Sequence, residues 1–215
     1  MPAHKSEIHD YIMGQIVAGK LHPGDVIDET AIAQEFSVSK TPIREAILQL
    51  EANRIVEKKA RAGARVPRFS PEELIELIEL HSELEGAAAF HAARRATNAQ
   101  LQDLKAAADA YAQTDKQTET EYSLNLAFHL AVFRCCNNSI LQRELDLTGA
   151  RLVAYFRAQE GLRMGQGRAV SEHREILQAI SEGHADDART AMRHHAEISS
   201  DTLLDVLSAM KAKHG

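Results

Sequence analysis

The histidines of this 215-residue chain are the side chains whose type and spacing first suggest chemistry. The chain contains 11 histidines, and three of them, His129, His173 and His195, fall on separate predicted helices of its second half. Asn125 precedes His129 by four residues, so both lie on one face of the same helix. Imidazoles that converge from several helices can bind a borderline divalent ion such as Zn²⁺, and an amide oxygen adds one weak ligand. Because the sequence contains no short metal-ligand spacing, histidines that are only hydrogen-bonded or exposed remain the alternative at this point.

A second group of side chains, near residue 40, has the chemistry needed to contact DNA. Two short predicted helices meet there at a tight turn, and the second has four apolar side chains with the spacing of one buried face: Ile43, Ala46, Ile47 and Leu50. Lys40, Thr41 and Arg44 then lie on the exposed face near the start of this helix. Two cations and a hydroxyl at that place suit the base edges and phosphates of a major groove. This pattern predicts a helix-turn-helix, and a solvated charged helix face is the alternative.

The segment after Asn53 changes from a helical to a strand-like pattern. RIVEKK (residues 54–59) and ARVP (64–67) flank a turn that ends at Gly63, where the lack of a Cβ atom permits a positive φ. The predicted hairpin has four basic side chains: Lys58, Lys59, Arg61 and Arg65. A basic hairpin beside a recognition helix is suited to flanking phosphates or to the minor groove.

The elements that must position these side chains are almost all helical. In the first part of the chain, helices are predicted at about 6–18, at about 29–36 with Asp28 as N-cap, and from Ser39 or Lys40 onward. After a linker at 67–70, the motif SPEE predicts a helix start with a capping box.

Six further helices and no strands are predicted after this linker. They run at roughly 71–96, 99–115, 119–136, 139–163, 167–182 and 185–211. The predicted fold is therefore mostly α, with an N-terminal winged helix-turn-helix in residues 1–68 and a C-terminal all-α antiparallel helical bundle in residues 69–215.

Charge is distributed unevenly between these two parts. Residues 1–68 contain ten Lys or Arg against nine Asp or Glu, whereas the remainder contains 15 against 22, within a net charge of −6. A near-neutral part with a basic hairpin, joined to an acidic part, is typical of a DNA-binding domain tethered to a domain that does not contact DNA.

Several classes of protein are disfavoured by what the sequence lacks. No apolar run approaches the roughly 20 residues of a membrane span, and the N-terminal segment has no signal-peptide core. The adjacent Cys135 and Cys136 are expected to be reduced thiols, so a cytoplasmic location is predicted. The sequence contains no HExxH, GxSxG, Glu-x-x-His or phosphate-loop motif, so an enzyme is not expected.

The N-terminal part resembles the winged helix-turn-helix of GntR-family regulators. The resemblance is carried by LHPGD, by EFSVSKTPIREAILQLE and by the Gly63 wing, in that order along the first domain. It implies that double-stranded operator DNA is bound by the polar side chains at the start of the third helix, with the wing assisting. Lys40 stands where the family usually has Arg, Arg54 where Gly usually ends the recognition helix, and Thr30 where some members use Arg on DNA.

The C-terminal part resembles the FCD domain of FadR-type GntR regulators, and its six predicted helices resemble the VanR-like branch. The matching segments are SELEGAAAFHAA, NLAFHLAVFRCCNNSIL and EHREILQAISEGHADDARTAMRHH. Many members bind a metal through an Asp and three His, which match Asn125, His129, His173 and His195. The neutral amide of Asn125 weakens such a site. Zn is the expected ion, with Ni or Mn as alternatives. His194 is expected to face solvent.

The resemblance also implies that a small organic acid is the effector. Its carboxylate would complete the coordination of the metal and pair with an arginine, for which Arg151 is the candidate, with Tyr155 one turn further along the same face. An ion pair within the domain is the alternative for Arg151. His81, which stands where the family usually has Arg, would line the same cavity or only pack.

These patterns together predict a transcription regulator. A homodimer would present two winged helices to a pseudo-palindromic operator, and effector binding would relieve repression. The alternative is a metal-sensing regulator in which the divalent ion is itself the signal.

Overall fold

The computed structural model describes residues 2–59, 63–114, 119–158 and 166–196. These residues form nine helices and one two-stranded antiparallel sheet, so the predicted mostly helical fold class is confirmed. Their contacts divide the chain into two compact units, Met1–Leu74 with Gly149–Gly161 and Ile75–Thr148 with Leu162–Gly215. The domain boundary predicted at residues 68 and 69 stays a prediction.

The first unit begins with three helices: α1 (Pro2–Val17), α2 (Glu29–Glu35) and α3 (Lys40–Ala52). α1 directs Ile8, Ile12 and Ile16 into the core, each at most 1% exposed, because residues four apart share one helix face. The carboxylate of Asp28 accepts hydrogen bonds from two N–H groups in the first turn of α2, so it is the predicted N-cap.

The recognition helix and the wing have the predicted arrangement. α3 buries the four side chains predicted from their spacing: Ile43, Ala46, Ile47 and Leu50. The hairpin consists of β1 (Glu57–Lys59) and β2 (Gly63–Arg65), with Glu57 opposite Arg65. It is shorter than predicted, because Ile55 and Val56 turn into the core before the strands pair. Gly63 has a φ of 76°, which a residue without a Cβ atom adopts readily.

Arg54 lies just after the end of α3 and has a backbone conformation that residues with a Cβ atom rarely adopt. Its φ is 55°. The N–H groups of Arg54 and Ile55 donate to the carbonyls of Glu51 and Leu50, as in a helix that ends at glycine. The left-handed conformation costs a non-glycine residue about 1 kcal/mol.

Arg54→Gly is therefore expected to raise the free energy of unfolding by about 0.5–1 kcal/mol, since glycine adopts this φ without strain. Urea denaturation followed by circular dichroism measures the change. Arg54→Ala is the matched control, because it removes the same charge and retains the Cβ atom. An equal gain in both variants would show that the charge, and not the backbone, is responsible.

Six helices follow the hairpin within the described residues: α4 (Pro71–Arg95), α5 (Asn98–Gln113), α6 (Glu119–Cys135), α7 (Ser139–Ala158), α8 (Gln166–Glu182) and α9 (185–196). Their ends lie within about two residues of the predicted ends wherever the structure describes them. The predicted continuations of α7 to residue 163 and of the last helix to residue 211 lie outside the described residues. Ser70 and Glu73 form the predicted capping box at the start of α4.

The core of the second unit positions the histidines. Ala88, Ala89 and Ala92 of α4 are at most 1% exposed and leave room for the larger side chains of the neighbouring helices. Phe128 of α6 is fully buried, and its ring stacks on that of His173 with the centroids 3.8 Å apart. Among the described helices, none combines the length and apolar character that crossing a membrane requires.

Candidate metal centre and DNA-binding surface

Three imidazole side chains from three helices converge in the second unit. His129 lies on α6, His173 on α8 and His195 on α9, and one ring nitrogen of each lies within 4.8 Å of the others. The Nε2 atom of His195 is 3.1 Å from Nε2 of His129 and 3.3 Å from Nε2 of His173. The structure thus brings together the three predicted imidazole ligands.

Two carboxylates hold the outer nitrogens of two of these rings. Glu85 of α4 accepts a hydrogen bond from Nδ1 of His129 at 2.8 Å, and Glu172 of α8 accepts one from Nδ1 of His195 at 2.8 Å. Because each Nδ1 therefore carries the proton, the facing Nε2 atoms of His129 and His195 carry lone pairs. Two lone pairs 3.1 Å apart repel each other unless a proton or a metal ion lies between the two nitrogens.

The carboxylates remain ionised in spite of burial. Glu85 is 4% exposed, and burial alone raises the pKa of its carboxyl group. Electrostatic attraction to the N–H groups of His129 and His81, and the hydrogen bonds that the carboxylate accepts from them, outweigh this and hold the pKa well below its ordinary value. The hydrogen bond from His195 lowers the pKa of Glu172 in the same way. Two carboxylate charges beside the rings favour a bound cation.

His173 is held by ring contacts. Its ring stacks on Phe128, and its Nδ1 atom is buried and has no hydrogen-bond partner among the described residues. Burial lowers the pKa of this imidazole well below 6.5, so the ring is neutral and a nitrogen lone pair is available to a metal.

The donor set fits a divalent transition metal. Zn–N bonds of about 2.0–2.1 Å place two nitrogen ligands of a tetrahedral ion about 3.4 Å apart. Two of the three nitrogen separations, 3.1 and 3.3 Å between Nε2 atoms, are close to this value, and the third is at most 4.8 Å. A carboxylate on the second nitrogen is the usual support of a metal-bound imidazole. Asn125 lies on α6 one turn before His129 and is half-buried, and its role as a fourth ligand stays a prediction.

Sequence reasoning missed Glu85 and Glu172. A signal for each is visible in retrospect, because Glu172 directly precedes His173 and Glu85 follows His81 by one helical turn. Neither spacing identifies its imidazole partner, which lies 44 residues from Glu85 and 23 residues from Glu172 along the chain.

His81 lies beside the carboxylate that orients His129. Its Nε2 atom is 3.5 Å from Oε1 of Glu85, and its Nδ1 atom is 2.7 Å from Oγ1 of Thr148 on α7. His81 thus connects the candidate metal centre to α7 within the second unit. His194, as expected, is exposed.

Arg151 and Tyr155 make their described contacts within the first unit. Nε of Arg151 donates to the carbonyl of Asn53, the C-cap of α3, at 2.9 Å. The hydroxyl of Tyr155 donates to the carbonyl of Pro67 at 3.1 Å and accepts from the N–H of Phe69 at 2.6 Å. These contacts do not test the predicted pairing of Arg151 with an effector carboxylate, which stays a prediction.

The predicted recognition side chains are exposed on α3. Lys40, Thr41 and Arg44 all face away from the core. Nζ of Lys40 donates to Oγ1 of Thr30 at 3.0 Å, and Nε of Arg44 donates to Glu29 at 3.2 Å. The start of α2 therefore holds both cations of the recognition helix.

The wing presents basic side chains next to carboxylates. Lys58 lies 3.4 Å from Glu51, and Lys59 and Arg65 lie 3.5 and 3.2 Å from Glu57. Lys58 and Lys59 are exposed, whereas Arg65 is half-buried by its cross-strand pair. Arg61 lies outside the described residues.

Comparison with known families matches both parts of the chain. Residues 4–66 match the model of the gntR family of bacterial regulatory proteins, and residues 76–197 match the FCD domain. The chain therefore belongs to the GntR family and carries an FCD domain. It is a transcription regulator of the class that binds operator DNA, and it is not an enzyme.

Individual relatives agree with this assignment. The chain is 31% identical over 186 residues to the Uxu operon regulator of Haemophilus influenzae, covering 79% of this chain and 70% of the relative. It is 27% identical over 192 residues to the probable D-xylose utilization operon transcriptional repressor of Paenarthrobacter nicotinovorans, covering 88% and 84%. Its fold is similar to that of McbR/YncC of E. coli, with a TM-score of 0.79, 18% identity and 99% of each chain covered. The FadR-type, VanR-like subfamily stays a prediction.

Proposed function

We propose that the chain is a repressor whose affinity for operator DNA is controlled by a small carboxylate effector bound beside a divalent metal. The observation that carries this proposal is the convergence of ring nitrogens of His129, His173 and His195 within 4.8 Å of one another. The Nδ1 atoms of two of these rings are paired with Glu85 and Glu172, as is usual for metal-bound imidazoles. Repression as the polarity is supported by the name of the similar protein from P. nicotinovorans.

Operator recognition is assigned to α3 and the wing. Lys40, Thr41 and Arg44 would contact bases and phosphates in the major groove, because they are exposed together at the start of the recognition helix. The wing would contact flanking phosphates through its basic side chains: Lys58, Lys59, Arg61 and Arg65. A homodimer would place two such heads on a pseudo-palindromic operator.

Effector binding is assigned to the candidate metal centre. When bound, the metal supplies a coordination position for a carboxylate oxygen of the effector, and Zn is the ion that fits best. His129, His173 and His195 would hold the ion, and Asn125 would add a weak fourth ligand. Glu85 and Glu172 would hold the proton on Nδ1 of His129 and of His195 and fix the orientation of these two rings.

Elemental analysis of the purified protein, before and after dialysis against a chelator, tests this assignment. Thermal melts of both forms against a panel of small carboxylates complete the experiment. About one metal ion per chain is expected, with at least one acid raising the melting temperature only in the metal-bound form. A protein without metal, and without dependence on added metal, would contradict the proposal. If added metal raises the melting temperature and none of the acids raises it further, the ion itself would be favoured as the signal.

A further inference from the structure

The pair formed by Arg44 and Glu29 sets the geometry of the recognition helix. Arg44 is the more exposed partner, with 63% of its side chain accessible, whereas the side chain of Glu29 is 22% accessible. An ion pair this exposed contributes little to stability, typically below about 1 kcal/mol. The main effect of the pair is therefore to orient the Arg44 side chain, and its contribution to the free energy of unfolding is small.

We propose that Glu29 is a positioning residue that determines operator specificity by fixing Arg44 for base recognition. The inference rests on the proposed role of Arg44 in the major groove. Glu29 engages Nε of Arg44 and thereby fixes the plane of the guanidinium group. The two terminal nitrogens are the atoms that form the bidentate contact with O6 and N7 of guanine.

The first turn of α2 is itself rigidly held, so it can act as a template. Asp28 accepts hydrogen bonds from the N–H groups of Thr30 and Ala31 at 2.9 and 3.0 Å. Thr30, next to Glu29, accepts a hydrogen bond from Nζ of Lys40 at 3.0 Å. Of three consecutive residues, Asp28 thus caps α2, Glu29 binds Arg44 and Thr30 binds Lys40.

The negative charge of Glu29 also opposes indiscriminate binding. A carboxylate beside Arg44 offsets the attraction of that cation to any phosphate. Arg44 therefore contributes most to the binding free energy where a base presents two acceptors. Glu29 would therefore lower the affinity for unrelated DNA and raise discrimination among sequences.

The test uses the full-length protein and a duplex that the wild-type protein selects from a randomised pool. The base pair that Arg44 contacts is the one at which Arg44→Ala loses discrimination. Fluorescence anisotropy then gives the affinities of each variant for the selected duplex, for duplexes substituted at each position, and for an unrelated duplex.

Glu29→Ala is expected to reduce discrimination at that base pair by about tenfold, with little change at other positions. Glu29→Gln retains a hydrogen-bond acceptor without the charge, and it is expected to keep discrimination within about threefold of wild type. Both variants are expected to bind the unrelated duplex more tightly. Glu45→Ala, which removes an exposed carboxylate from α3 itself, is the matched control and is expected to leave discrimination unchanged.

Two results would overturn the inference. Wild-type discrimination in Glu29→Ala would show that Glu29 does not position Arg44. Equal losses in Glu29→Ala and Glu29→Gln would show that charge alone is responsible. Neither result affects the role of Arg44, which the Arg44→Ala variant tests separately.

Discussion

Replacing Arg44 with alanine is expected to weaken binding to the selected operator duplex by roughly 30-fold to 20,000-fold. A bidentate contact of arginine with guanine gives about 1–3 kcal/mol of discrimination, and a symmetric dimer loses two such contacts. Affinity for an unrelated duplex is expected to fall far less, because only one cation per chain is removed. Titrations of both duplexes at one salt concentration, followed by anisotropy, measure the two affinities.

Arg143→Ala is the matched control for this variant. Arg143 lies on α7 with 70% of its side chain accessible, so its replacement removes the same charge from a similarly exposed position. Operator affinity is expected to remain close to wild type in the control. Equal behaviour of Arg44→Ala and Arg143→Ala would mean that α3 does not read bases through Arg44.

The second large effect is expected from His129→Ala, which should lower metal affinity by at least about 100-fold. The substitution removes one of three converging imidazoles and leaves Glu85 without its closest partner. Competition with a chromogenic chelator measures the affinity, and elemental analysis measures the stoichiometry. Loss of the acid-dependent rise in melting temperature should accompany loss of the metal.

Two further variants separate the metal ligand from its surroundings. Glu85→Gln retains the volume of the side chain and all three imidazoles, and a loss of metal affinity of about 10- to 100-fold is expected, as for other groups that orient a ligand. His194→Ala removes an exposed imidazole next to His195 and should leave metal affinity unchanged. Metal affinity in His129→Ala equal to that of the wild-type protein would refute the assignment of the centre.

Most of the fold follows from local pattern, and particular residues show why. The buried stripe of α1 and the four apolar residues of α3 have helical spacing that only one packed face satisfies. Asp28 and the Ser70–Glu73 pair mark helix starts through hydrogen bonds to their own neighbours, so a short window of sequence contains the information. The hairpin was predicted too long, because Ile55 and Val56 have strand-forming side chains but are buried in the core before the strand pairing begins at Glu57.

The candidate site was predictable only in part, because its partners lie far apart in the chain. The resemblance to a known family identified the three imidazoles, but Glu85 lies 44 residues from His129 and depends on the packing of α4 against α6. The same limit applies to Arg151, whose partner Asn53 lies 98 residues away. Glu29 and Arg44 are 15 residues apart on different helices, and no local periodicity pairs them.

The most direct test of the account is the affinity of the metal-loaded protein for its selected operator duplex, measured with and without the carboxylate that most raises the melting temperature. The acid is expected to weaken operator binding at least about tenfold, and operator DNA should weaken binding of the acid by the same factor, since coupling is reciprocal. The effect should disappear after chelation and in His129→Ala. Operator affinity that is unchanged by saturating acid in the metal-loaded wild-type protein would contradict control of DNA binding from the three-histidine centre.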